Sequence, residues 1–148
     1  MVIGEYVMDR ITGQITPLYF FNPVGGEIAP LHLTLRLDGQ TVYDQPVIQP
    51  DPFDLELDDS DGEHTLEFEL LGRGPEHTVY NIDGQIVCDS CVSIRNLKFN
   101  DVDLNPLLYK LAHYEPSSTE LFHGALKSNV LVKISFTTPV DLWLFEHM

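Results

Sequence analysis

Leu31-His32-Leu33-Thr34-Leu35-Arg36-Leu37-Asp38-Gly39-Gln40-Thr41-Val42-Tyr43 is the stretch whose reading decides the fold. Leucine at every second position, with His32, Thr34 and Arg36 between, is the period of a strand buried on one face only. Asp38-Gly39 then supplies the positive φ angles that a two-residue hairpin turn requires, and Thr41–Tyr43 begins the return strand. The same pair recurs as Asp61-Gly62 and Asp83-Gly84. Phe53, Leu55 and Leu57 alternate with Asp54, Glu56 and Asp58 before the second, and Leu66, Phe68 and Leu70 face inward in His64–Leu71 after it. Thr78–Ile82 and Gln85–Cys88 flank the third. The three turns share no fixed spacing, so they are not an internal repeat.

Outward from this centre, Gly4–Met8 and Ile15–Phe21 read as strands separated by a polar turn over Asp9–Gln14. Val92–Ile94 and Leu97–Leu104 read as two more. Asn105–His113 is the single helix-like stretch, with Pro106 suited to a first turn, and Glu115–Glu120 is an exposed loop. Asn129–Phe136 and Val140–Phe145 read as closing strands joined through Thr137-Thr138-Pro139. Turns every ~8–12 residues with almost no helix predict an all-β protein. Residues 1–148 form one antiparallel β-sandwich of jelly-roll or immunoglobulin-like form, with at most one short helix.

Composition fits that expectation: 43% apolar and 21% charged residues suit a globular core. The charge is unusual, with 23 acidic against 8 basic residues and a net −15. Such a field repels phosphate backbones and anionic lipid, which excludes nucleic acid and membrane surfaces as partners and suits a cation or a basic protein surface. No segment reads as a secretory signal and no apolar run approaches the ~20 residues of a membrane span. Cys88 and Cys91 alone make no disulfide framework, so folding in a reducing cytoplasm is expected.

The densest charge cluster runs from Asp51 to Glu69 without an intervening Lys or Arg. It reads first as a solvated acidic face. Within it Asp58, Asp59, Asp61 and Glu63 are the candidate oxygen ligands for a calcium ion, though not at EF-hand spacing. Cys88-Asp-Ser-Cys91 lies in a β run rather than at a helix N-terminus and lacks a second ligand pair, which favours two partly buried thiols over redox or zinc chemistry. Glu63-His64-Thr65 and Glu76-His77-Thr78 repeat a triplet, the first reading as a strand start with an exposed histidine. No nucleophile elbow, zinc-protease helix or phosphate loop accompanies them, so no catalytic residue and no required cofactor is assigned. In Leu18–Phe21 and Val140–Phe145 apolar residues fall on both strand faces. Contiguous exposed aromatics mark contact surfaces, which makes Phe20, Phe21, Trp143 and Phe145 the candidate interaction residues.

The phrases Leu37–Tyr43, Asp58–Glu67, Glu76-His77-Thr78 with Asp83–Val87, and Phe136–Leu144 resemble small β-sandwich proteins encoded by tailed bacteriophages, cyanobacterial phages in particular. The likeness spans residues 31–104 and 130–148. It implies a non-enzymatic virion structural protein, assembled in the host cytoplasm: a capsid decoration or cement protein, or a tail component. Its partners would be other virion proteins in a homo-oligomer or symmetric assembly. In architecture the domain is also similar to carbohydrate-binding modules, which implies adsorption to host glycans, with or without calcium, as the alternative. Neither likeness carries a defined site.

Overall fold

A computed structural model describes residues 8–19, 30–58, 60–80, 82–115 and 120–147. Two antiparallel sheets face each other. The first is built around β1 (Met8–Tyr19), β4 (Asp51–Asp58), β7 (Ile86–Phe99) and β10 (Ala125–Leu126), in the order β10-β7-β1-β4. The short β6 (Thr78–Tyr80) and β8 (Val102–Asp103) also pair with β7. The second sheet contains β2 (Leu31–Leu37), β3 (Gln40–Val47), β5 (Gly62–Leu71), β9 (Ala112–Glu115) and β11 (Leu131–Thr138), in the order β3-β2-β5-β11-β9. Inward residues at every second position, among them Ile11, Ile15, Leu33, Leu35, Leu66, Phe68, Ile94, Phe99, Val132 and Ile134, make one continuous core. The all-β sandwich expected from the alternation is the fold.

The three Asp-Gly pairs do different work. Asp38 and Gly39 have φ of 52° and 79°, a two-residue turn of the mirror-image kind between β2 and β3, with Leu37 opposite Gln40. Gly84, φ 79°, lies in the loop between β6 and β7, where Tyr80 pairs with Ile86. Asp61-Gly62 is not a hairpin. It is an arch from one sheet to the other: β4 pairs with β1, whereas β5 pairs with β2 and β11. The apolar faces of β4 and β5 therefore meet across the core, Phe53 and Phe68 with ring centroids 6.4 Å apart. The chain turns at Asp58, whose carboxylate accepts from the Ser60 backbone N–H at 2.9 Å.

Three other expectations are corrected, and a fourth is met. Asp9–Gln14 is no turn but the body of β1, because Ile11 and Ile15 point inward with Gly13 between them, facing Phe53. Leu97–Leu104 is not one strand: Asn100 and Asp101, φ 50° and 67°, make a second tight hairpin turn between β7 and β8. The helix-like stretch Asn105–His113 holds the turn or two expected of it, a 3-10 turn, Asn105–Leu107, then the single-turn α1 (Leu108–Leu111), after which the chain pairs with β11 as β9. Val140–Phe145 belongs to a helix, α2 (Val140–His147), rather than to a strand. Val140, Trp143 and Leu144 recur at helical spacing and are buried, while Leu142 and Phe145 face outward. Residues 116–119 of the expected loop lie outside the described residues. Among those described, no helix is long and apolar enough to cross a membrane.

Candidate functional site

Helix α2 closes one end of the sandwich. Trp143 packs on Phe99 and Phe136, with ring centroids 5.7 and 6.0 Å away, and those two rings meet edge-on at 5.0 Å. The start of the helix is held from the opposite end of the sequence. Asp9, only 3% exposed, accepts from the Val140 backbone N–H at 2.9 Å and from the Asn100 side-chain amide at 2.8 Å. An acidic side chain at that position satisfies a helix-terminal donor and complements the helix dipole.

Beside this helix opens a cleft of about 680 Å³. The ends of β5 and β11, the Asp38-Gly39 turn and the last turn of α2 enclose it. Phe136 and Trp143 lie at its base, and Asp38, Glu63, His64, Glu146 and His147 line its sides. His64 is the hub of the near wall. Its Nδ1 meets the Asp38 carboxylate at 2.6 Å and its Nε2 meets Thr138 Oγ1 at 3.1 Å, while its ring stacks on Phe136 at 5.5 Å. Asp38 also accepts from the Thr65 backbone N–H at 2.8 Å. Thr138 in turn donates to the Ser60 carbonyl at 2.5 Å. One imidazole thus ties the β2–β3 turn, the β4–β5 arch and the end of β11 together. The expected exposed histidine at a strand start is instead a half-buried tether.

An acid, an imidazole and a hydroxyl in series resemble a nucleophilic relay, but Thr138 is buried and its proton is committed to Ser60. The arrangement holds structure. His77 of the second triplet is likewise buried, its Nδ1 accepting from the Gly74 N–H at 2.9 Å.

The predicted interaction residues separate. Trp143 is 4% exposed and belongs to the core, so it is not an exposed aromatic of a strand face; Phe145, two positions on, is 82% exposed. The strand reading already put both on one face, whereas the helix turns them 200° apart. Phe20 and Phe21 lie outside the described residues. Of the calcium candidates, Asp58 is engaged in the arch, Asp61 and Glu63 are exposed, and Asp59 lies outside the described residues. Among the described residues no three His, Cys, Asp or Glu side chains are grouped to hold a metal. The acidic face also has counterions that the local sequence does not show. Arg10 on β1 meets Asp54 at 2.7 Å and Arg36 on β2 meets Glu69 at 2.6 Å. The Arg10 hydrogen bond holds the Asp54 carboxyl below the ordinary carboxylate range. Cys91 is buried on β7, as expected for one of the two thiols.

Sequence reasoning missed one exposed apolar group among the described residues. The start of β7 pairs with β6, Thr78 opposite Asp89 and Tyr80 opposite Ile86, as a hairpin around Asp83-Gly84. Tyr80, Ile82 and Ile86 are all exposed on this hairpin. The signal was present as an isoleucine on each side of Asp83-Gly84, where turn flanks are usually polar.

No protein-family model matches the chain, and no curated protein or solved structure matches it either.

Proposed function

We propose that this protein is a non-enzymatic structural subunit of a tailed-phage particle, decorating the capsid or joining the tail, and that it works by docking on neighbouring virion proteins. The observation that carries the reading is the exposed apolar surface of the β6–β7 hairpin, Tyr80, Ile82 and Ile86. Three large apolar side chains on one hairpin stay in water at a free-energy cost of roughly 1.5–3 kcal/mol each relative to full burial. A contact that buries them recovers that cost. Leu142 and Phe145, adjacent on the outer face of α2, form a second exposed pair of the same kind. The body of the sandwich, at −15, resists random self-association, which leaves specific docking to these apolar points.

Host-glycan binding is the competing reading, and its natural sugar platform, the Trp143 ring, is buried. Mass-spectrometric detection and copy counting in purified particles test the proposal. Stoichiometric presence supports it, with high copy number indicating the head surface and low copy number the tail or neck. Ile82→Asp together with Ile86→Asp should then abolish incorporation while leaving the isolated fold intact by circular dichroism. Absence from particles refutes the reading.

A further inference from the structure

We propose that the cleft beside α2 receives an arginine side chain from a basic segment of a partner protein. The proposal rests on the docking reading and adds a second contact whose chemistry is polar rather than apolar. Three carboxylates, Asp38, Glu63 and Glu146, line the cleft, Asp38 already bonded to His64 and the Thr65 N–H, and among the described residues no Lys or Arg does. Glu63 and Glu146 are exposed, one at the start of β5 and the other in the last turn of α2. Phe136 and Trp143, 2% and 4% exposed, give the lining its apolar part. An arginine is the side chain that matches both parts. Its methylene stem lies along apolar surface, and its planar fork of N–H donors reaches two carboxylates at once. A lysine offers only a point charge, and a neutral sugar lacks the charge that this rim is built to meet.

The wall is also fixed before any partner arrives. His64 is tethered at both nitrogens, and His147 Nδ1 lies 2.8 Å from the Trp143 carbonyl, with its ring 4.9 Å from the indole. A site held rigid in this way loses little freedom on binding. The overall −15 charge raises the local concentration of basic segments and speeds their encounter with the cleft.

The test is titration of the full chain with the blocked peptide acetyl-Ala-Arg-Ala-Arg-amide, and with its citrulline counterpart, which keeps the shape without the charge. Trp143, the single tryptophan, lies at the base of the cleft and reports occupancy by fluorescence. Saturable binding of the arginine peptide is expected, weakened by salt and at least about tenfold weaker in the Glu63→Gln, Glu146→Gln double variant, as loss of charge-assisted contacts predicts. The citrulline peptide should not bind. Equal binding of the citrulline peptide, unchanged affinity in the double variant, or no saturable binding at low salt overturns the proposal. So does tighter binding of a neutral oligosaccharide at the same tryptophan. The outcome is independent of particle composition. A chain found in particles but blind to arginine loses only this site, and one that binds arginine but is absent from particles loses the docking reading.

Discussion

Replacing Asp9 with alanine should release α2 from the sandwich. Asp9 is almost fully buried, and its two oxygens accept separately, from Val140 N–H and from Asn100 Nδ2. Hydrogen bonds to a charged partner are worth roughly 1.5–3 kcal/mol each, and the desolvation of a buried carboxylate offsets part of the sum. A net loss of about 3 kcal/mol follows, or a fall in Tm of roughly 6–12 °C for a domain of this size. Asp9→Asn should be milder, about 2 kcal/mol, because one oxygen still accepts while the new amide faces a donor. Asn100 cannot relieve that conflict by flipping its amide, since its Oδ1 accepts from the Arg10 N–H at 2.8 Å. Urea unfolding followed in parallel by tryptophan fluorescence and far-ultraviolet circular dichroism checks the argument. Trp143, the single tryptophan, reports the packing of α2 on Phe99 and Phe136, so in Asp9→Ala its transition should precede the loss of β signal. If the alanine variant unfolds within about 0.5 kcal/mol of the parent, with the two probes coincident, Asp9 does not hold the helix.

Three further outcomes follow from the structure. Asp54 has its pKa depressed in the fold by Arg10, so that pair stabilises above the unfolded carboxylate value near 3.9 and its contribution fades as pH falls through the lower folded value. In Arg10→Ala the Asp54 midpoint should rise toward the ordinary carboxylate range when followed by carboxyl NMR titration. Gly13→Val should destabilise by about 1–3 kcal/mol in denaturant melts, since even a Cβ at that position would sit 2.5 Å from Phe53 Cζ inside a packed layer. Asp101→Gly should stabilise by about 0.5–1 kcal/mol, read as a raised Tm, because glycine adopts the φ of 67° without strain and completes an Asn-Gly hairpin turn.

The layers were legible because each inner face is written at period two. Leu31 to Leu37 and Leu66 to Leu70 need no other information to be strands facing a core. Connections were less legible, since Asp-Gly says that the chain can turn and not what it turns toward. At Asp38 the following strand is polar and suits an edge, and a hairpin forms. At Asp61 both flanking runs carry full apolar faces, and an arch between layers buries the two against each other. The same comparison of flanking faces would have separated the two cases from the sequence. Val140–Phe145 misled for a related reason: Val-Asp-Leu-Trp-Leu-Phe has apolar residues at both strand and helix spacing. The contact that settles it, Asp9 at the helix start, comes from 131 residues away.

The cleft was illegible for the same physical cause. Its parts come from a turn at Asp38, a strand start at Glu63, a strand end at Phe136 and a helix end at Glu146, so no window of sequence contains it. What the sequence did hold was a charge imbalance without an address. In space, arginines from β1 and β2 cover part of the acidic face, at Asp54 and Glu69. Among the described residues, no Lys or Arg lines the cleft. An excess of negative charge repels itself most weakly where it is spread out, so carboxylates gathered over an apolar base are the place where a foreign cation gains most. That asymmetry separates the cleft from the rest of an acidic surface, and it disappears if arginine and citrulline peptides prove indistinguishable to the protein.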